Sequence, residues 1–209
     1  MQVSAEIRWF WAEPAEAAKC RDWFWSSEAF GGKPGGGKER VDEYLWDKGQ
    51  TELGIKRRGG KPGLEMKGLV ARGVSGFQLG SLSGPVDIWT KWSTESADLQ
   101  LSPSLRIAKV RWLRKWSTDA GVVRELALRA DEQPFDAPAF STGCNLEFTE
   151  IRLPAGGQWW TLGFEAFGEL STVAHSLELA AKLLARRSAP GFPAGRCASY
   201  PAWIAGLPA

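Results

Sequence analysis

Apolar and charged residues alternate along residues 52–70, ELGIKRRGGKPGLEMKGLV. Leu53, Ile55, Leu64 and Met66 fall on one side of an extended chain. Lys56, Arg58, Glu65 and Lys67 fall on the other, because successive side chains of a strand point to opposite faces. Gly59-Gly60-Lys61-Pro62-Gly63 supplies a sharp reversal between the two runs, so the pattern predicts a hairpin. The same scheme recurs elsewhere. Residues 4–11 set Ser4, Glu6, Arg8 and Phe10 against Ala5, Ile7, Trp9 and Trp11. Residues 106–116 set Lys109, Arg111 and Lys115 against Val110 and Trp112. Residues 145–153 place Glu147 and Thr149 opposite Leu146 and Phe148, and residues 159–167 carry Glu165. Further strands are predicted at residues 40–46, with Asp42 and Tyr44 on one face, and at residues 86–93. Together these describe a sheet with one apolar and one charged face, bent so that the charges converge.

Two helices interrupt the strands. Glu13-Pro14 opens one over residues 15–26, since proline is tolerated in the first turn; it is expected to bury Ala18, Trp23, Trp25 or their neighbours. Ser171 is the expected N-cap of another, whose apolar stripe is Val173, Leu177, Ala180 and Leu184. Residues 71–84 read as a Gly/Ser-rich connection, residues 95–103 as a loop or short helix, and residues 131–142 as a loop. Residues 122–130 fit a short strand or a short helix equally. The tail is rich in Pro and Gly, with Tyr200, Trp203 and Ile204 expected to dock on something apolar. Gly32 to Lys38 has the spacing of a phosphate-binding G-x-x-x-x-G-K loop. It follows a helix, precedes a strand and carries Glu39 where Ser or Thr would hold magnesium, so it reads as a flexible linker.

Composition narrows the function classes. No linker divides the 209 residues, which predicts one domain over 1–209. The net charge of +2 is too small for bulk attraction to nucleic acid or to a membrane, and neither is an expected partner. Three scattered cysteines and the single His175 exclude a zinc site and a Ser/His/Asp triad. His175 reads as structural. Without a leader or a membrane-length apolar run, the expected location is cytoplasmic, with reduced thiols. The 12 tryptophans are mostly core packing, with base or sugar stacking open to a few. Lys115 and Arg124 read as solvated outer charges.

The order of these strands and their charges resembles the CYTH-type triphosphate tunnel family over nearly the whole chain. Its opening E-x-E-x-K strand is similar to Ser4-x-Glu6-x-Arg8, and its D-x-Y strand to Asp42-x-Tyr44. Its L-R-I-R-R strand is similar to Leu53-Gly54-Ile55-Lys56-Arg57-Arg58, and its T-x-K-G strand to Glu65-Met66-Lys67-Gly68. Lys109-Val110-Arg111 resembles its K-x-R strand. Glu147-Phe148-Thr149-Glu150-Ile151 and Gly163-Phe164-Glu165 resemble its two acidic strands, and Ser199-Tyr200 its late S-Y pair. The resemblance implies an α+β fold, mainly an eight-stranded antiparallel β-barrel forming a tunnel, with helices packed outside. It implies hydrolysis of a triphosphate-containing compound, inorganic or nucleoside, with Mg²⁺ or Mn²⁺. Arg8, Lys56, Arg58, Lys67, Lys109 and Arg111 would then bind a small-molecule polyphosphate or nucleotide. Glu6, Glu147 and Glu165 would hold the metal, with Glu65 a further carboxylate, and Lys67 or Lys109 would assist proton transfer.

Ser4, Gly54, Thr149 and Gly163 stand where the family has charged residues. A non-catalytic phosphate- or nucleotide-binding protein of the same fold is therefore the alternative, and a homodimer is left open. A third reading reverses the facing: charges outside, with Leu53, Ile55, Val110 and Trp112 lining an apolar interior for a greasy ligand.

Overall fold

The computed structural model describes residues 2–26, 30, 33–79, 82–95, 99–135 and 141–208. Nine strands are assigned: β1 (Gln2–Trp11), β2 (Gly35–Leu45), β3 (Leu53–Arg57), β4 (Leu64–Leu79), β5 (Leu82–Thr94), β6 (Ser104–Ser117), β7 (Arg124–Leu126), β8 (Gly143–Arg152) and β9 (Gln158–Gly168). Three helices accompany them: α1 (Pro14–Trp25), α2 (Val173–Ala185) and α3 (Tyr200–Ala205). The strands follow one another in the order β2-β3-β4-β5-β1-β9-β8-β6, and β2 pairs with β6, which closes an eight-stranded antiparallel barrel. The extra strand β7 takes over the edge of β6 where β2 begins, pairing at Lys115 to Ser117. Closure gives each of the eight wall strands a paired neighbour on both sides.

The alternation seen in the sequence decides what lies on each side of the wall. Ala5, Ile7, Trp9 and Trp11 of β1 face outward into the larger core. There they meet Ala17, Cys20, Trp23 and Phe24 of α1 and Val173, Leu177, Ala180 and Leu184 of α2. Ser4, Glu6 and Arg8, the intervening residues, face inward. The main apolar core thus lies between barrel and helices, which overturns the reading with an apolar interior. A second core fills one end of the barrel. Phe10, Ile107 and Ile151 meet Trp203, Ile204 and Leu207 of the tail. Trp203 stacks on Phe10 at 4.8 Å and meets Trp159 edge-on at 5.6 Å. Ser199 caps α3 by accepting a hydrogen bond from the Ala202 N–H at 3.3 Å.

Several boundaries differ from expectation. Residues 71–84 are largely strand: β4 and β5 stay paired to Leu79 and Leu82, with register shifts between Leu69 and Ala71 and between Ala71 and Ser75. Gly73 at φ 59° turns within that bulge, and its N–H donates to Asp87 Oδ1 at 2.9 Å. Glycine there marks a bulge rather than the end of a strand. Gly35 to Gly37, read as linker, begin β2, so no helix follows the Gly-rich run; Gly32 lies outside the described residues. α2 starts at Val173 behind Thr172, not at Ser171, and no side chain caps it. α1 buries Ala17, Cys20, Trp23 and Phe24, and leaves Trp25 on the surface. The undecided residues 122–130 contain the short strand β7.

Candidate functional site

Closing the sheet with its charged face inward concentrates titratable groups in one cavity. Its volume is about 1050 Å³, counting its mouth. All six cations expected to bind phosphate line it, and so do Glu6, Glu147 and Glu165. Arg40 and Lys91, not among the expected site residues, line it too. Eight Lys and Arg side chains therefore face five carboxylates across this space, and the surplus of positive charge persists when the buried Asp42 is added.

Most of the carboxylates are already claimed. Arg8 and Arg111 grip Glu147 from two sides, Arg111 Nη1 lying 2.7 Å from Glu147 Oε2. Arg111 also holds Glu132, from a loop the sequence pattern gave no reason to single out, with Nε to Oε1 at 3.0 Å. Lys67 is ion-paired with Glu6, which accepts a further hydrogen bond from Ser4 Oγ at 2.6 Å. Lys56 lies 3.2 Å from Glu65 and 3.5 Å from Asp42. Arg58 and Lys91 stand looser, at 3.9 and 3.8 Å from Glu65. Burial alone would push the Asp42 carboxyl up, but Lys56, Lys109 and Arg40 outweigh it and hold Asp42 below the usual carboxylate range.

Lys109 is different. Its side chain is 3% exposed and has no ion pair among the described residues. Its Nζ donates to Tyr44 Oη at 2.6 Å and sits 3.7 Å from the centre of the Tyr200 ring. Burial, followed by repulsion from Lys56, pushes its pKa well below that of an ordinary lysine. The unfolded chain binds more protons than the native one between the lowered and the ordinary value. Stability therefore rises with pH across that window, and below it the buried ammonium is a standing penalty. Lys109→Met should accordingly leave the ligand-free protein as stable as the parent or more so, measured by thermal melting at neutral pH. A fall in melting temperature would mean that the Tyr44 and ring contacts outweigh the desolvation.

Two departures from the family pattern have local packing reasons. A Cβ on Gly163 would come within 2.7 Å of the Arg8 guanidinium carbon, so the bare position is what lets Arg8 lie across β9 and reach Glu147. A Cβ on Gly54 would come within 3.1 Å of Pro201 Cγ, and a long side chain there would collide with α3.

The expected metal ligands come together only loosely. Burial, with Glu6 and Glu147 nearby, raises the pKa of Glu165 above the usual range. Yet among the described residues no three acidic, histidine or cysteine side chains converge as ligands of one ion. With Glu147 held by two arginines and Glu6 by Lys67, this set of donors does not fit Mg²⁺ or Mn²⁺ as it is arranged.

Of the remaining groups, Lys115 is not a solvated outer charge. It is half-buried over the Phe167 ring at 5.9 Å, on the same face as Lys109 and Arg111, and burial lowers its pKa. Arg124 is exposed, as expected. His175 stands on the exposed side of α2, 3.8 Å from Glu178. The three cysteines are free. Among the described residues no helix is long and apolar enough to cross a membrane. The class that fold and site define is a closed eight-stranded antiparallel β-barrel with a charged interior and an apolar plug at one end. Compared with known protein families and with curated proteins, the sequence matches none.

Proposed function

We propose that the barrel binds a triphosphate-bearing small molecule in its interior, as a divergent relative of the triphosphate tunnel proteins it resembles. The observation that carries this reading is the surplus of Lys and Arg side chains over carboxylates around one cavity inside the barrel. Charges brought this close in a low-dielectric cavity repel, and a polyanion relieves that repulsion. Arginine offers a planar donor fork to phosphate oxygens and lysine a point charge, and both types are present. In this account Glu65 and Glu147 act as internal counter-ions that hold the cations in place until phosphate oxygens replace them. Arg58 and Lys91, the loosest pairs, are the first such contacts.

Hydrolysis of the bound anion is a second reading, favoured by Lys109. Of the two lysines expected to assist proton transfer, Lys67 is tied to Glu6, whereas Lys109 sits in a setting that favours a neutral amine. Such an amine accepts a proton from a water molecule attacking the terminal phosphorus, as the bond from that phosphorus to its bridging oxygen breaks. Tyr44, between Lys109 and Asp42, positions the amine; its Oη lies 3.4 Å from Asp42 Oδ2.

The test is a thermal-shift titration with inorganic triphosphate, paired with an assay of phosphate release in Mg²⁺, in Mn²⁺ and in chelator. Binding predicts stabilisation by triphosphate in chelator. Arg58→Ala should weaken it roughly tenfold, about 1.4 kcal/mol. Release lost in Lys109→Met would support the hydrolytic reading, and stabilisation without release would leave a binding protein. No stabilisation by triphosphate in any of the three conditions contradicts the proposal.

A further inference from the structure

The glycines that open β2 seat a small hairpin against the barrel wall. Residues 127–135 fold back on themselves: Leu128 bridges Pro134, and the Phe135 N–H donates to the Ala127 carbonyl at 3.0 Å. A Cβ on Gly35 would come within 2.7 Å of the Arg129 carbonyl oxygen and 2.9 Å of Leu128 Cβ. One on Gly36 would come within 2.4 Å of the Arg111 carbonyl oxygen and 3.2 Å of Glu132 Oε1. The bare backbone is what lets this hairpin lie beside Arg111.

The tip of the hairpin is strained. The Arg129 N–H donates to the Gln133 carbonyl at 2.8 Å and the Glu132 N–H to the Arg129 carbonyl at 3.0 Å, the pattern of a turn followed by one residue in the left-handed region. Glycine usually takes that last place; here it is Glu132, at φ 69°. Asp131 and Gln133 on either side are exposed, whereas the Glu132 side chain turns inward and is 17% exposed. Its Oε1 accepts from Arg111 Nε at 3.0 Å and its Oε2 pairs with Arg111 Nη2. The carboxylate therefore fills the two-pronged edge of the guanidinium, the edge that suits a phosphate group. Its charge also favours the charged forms of Arg58 and Lys115. Arg111 keeps Glu147 on its remaining nitrogen.

A backbone angle that glutamate rarely adopts is thus held by an ion pair at its own side chain. When that pair breaks, the tip loses the contact that offsets its strain. We infer that Glu132 is an autoinhibitory strap: in the ligand-free protein its carboxylate occupies the Nε–Nη2 edge of Arg111, and an anion that takes this edge releases the tip of the hairpin from the barrel. Glu147 has no such lever, because it stands within a wall strand paired on both sides. The inference rests on the triphosphate-binding reading and adds to it a means of regulation: whatever holds residues 129–133 against β2 keeps Arg111 closed to ligand.

Two measurements in chelator separate the claims: calorimetric titration with inorganic triphosphate, and amide hydrogen exchange at Arg129 and Glu132 with and without it. Glu132→Gly removes the carboxylate and places glycine where the turn favours it, so the hairpin keeps its shape. Asp131→Asn removes the same charge one residue away and keeps the oxygen that accepts from the Gln133 N–H. Glu132→Gly should bind triphosphate roughly tenfold more tightly than the wild type, and Asp131→Asn no more tightly. Triphosphate should speed exchange at both amides in the wild type. Binding by Glu132→Gly alone also supports the strap. Equal affinity in wild type and Glu132→Gly, an equal gain in Asp131→Asn, or exchange that triphosphate leaves unchanged overturns the strap while the triphosphate reading stands. Binding by none of the three proteins overturns both.

Discussion

Glu147→Ala should lower the stability of the ligand-free protein by about 3–5 kcal/mol, the usual result of removing one partner from a buried ion pair. Glu147 is the shared counter-ion of Arg8 and Arg111, and Arg8 is 7% exposed. Without it the two guanidinium groups face each other across the barrel, and Arg8 keeps no carboxylate partner of its own among the described residues. For a chain of this size that loss corresponds to a fall in melting temperature of roughly 6–20 °C. The second half of the prediction is the more telling. If the carboxylate is a counter-ion that phosphate replaces, triphosphate should stabilise the variant by more degrees than it stabilises the wild type. Melting curves with and without triphosphate measure both halves. An equal or smaller shift in the variant would mean that Glu147 is structural and that phosphate does not reach Arg8 and Arg111.

Trp203→Ala should have an effect of similar size for a different reason. Trp203 anchors α3, a helix of only six residues, by stacking on Phe10 and meeting Trp159 and Tyr200 edge-on. Truncating a buried tryptophan typically costs about 3–5 kcal/mol. Here the consequence extends into the cavity, because α3 also carries Tyr200, whose ring lies against Lys109 and, at 4.9 Å, against Arg8. A loosened α3 exposes Lys109 to water and removes the cause of its lowered pKa. The expected result is a lower melting temperature, with faster proteolysis confined to the tail. A variant that melts like the parent would show that the plug is held by something other than this aromatic stack.

How far these features could be read from the sequence depends on whether local pattern or tertiary pairing decides them. Strict alternation assigned Glu6, Arg8, Lys56, Arg58, Glu65, Lys67, Lys109, Arg111 and Glu147 to one face, and those residues do meet in one cavity. Alternation works best where α1 and α2 cover the apolar side, as on β1, β8 and β9, so a shift of one residue there would bury the charges in the outer core. The same rule applied to residues 40–46 places Arg40 on the face of Asp42 and Tyr44, and applied to residues 86–93 it sets Lys91 opposite Val86 and Ile88. Glu132 could not be found that way, since it reaches Arg111 from a loop with no periodicity. Residues 71–84 read as a connection because Gly and Ser signal turns locally, whereas in the fold β4 and β5 pair through Gly76 and Gly84 as far as Leu79 and Leu82; Gly80 and Ser81 lie outside the described residues. Arg114 is a different failure. It lies on the outward face of β6, 2% exposed, with its guanidinium 4.0 Å from the centre of the Phe30 ring and 2.8 Å from Glu125. A buried arginine inside an aromatic core has no sequence signature distinct from a surface one. The glycines in place of charges at 54 and 163 read as lost function in the sequence; in the structure each makes room for a neighbour, Pro201 and Arg8.

The most direct test of the central claim is diffraction from crystals grown with inorganic triphosphate in chelator. The account predicts phosphate density inside the barrel within hydrogen-bonding distance of Arg58, Lys109 and Arg111, with Glu147 turned away from Arg111. Density only on the outer surface, with the Arg8–Glu147–Arg111 cluster intact, would contradict it.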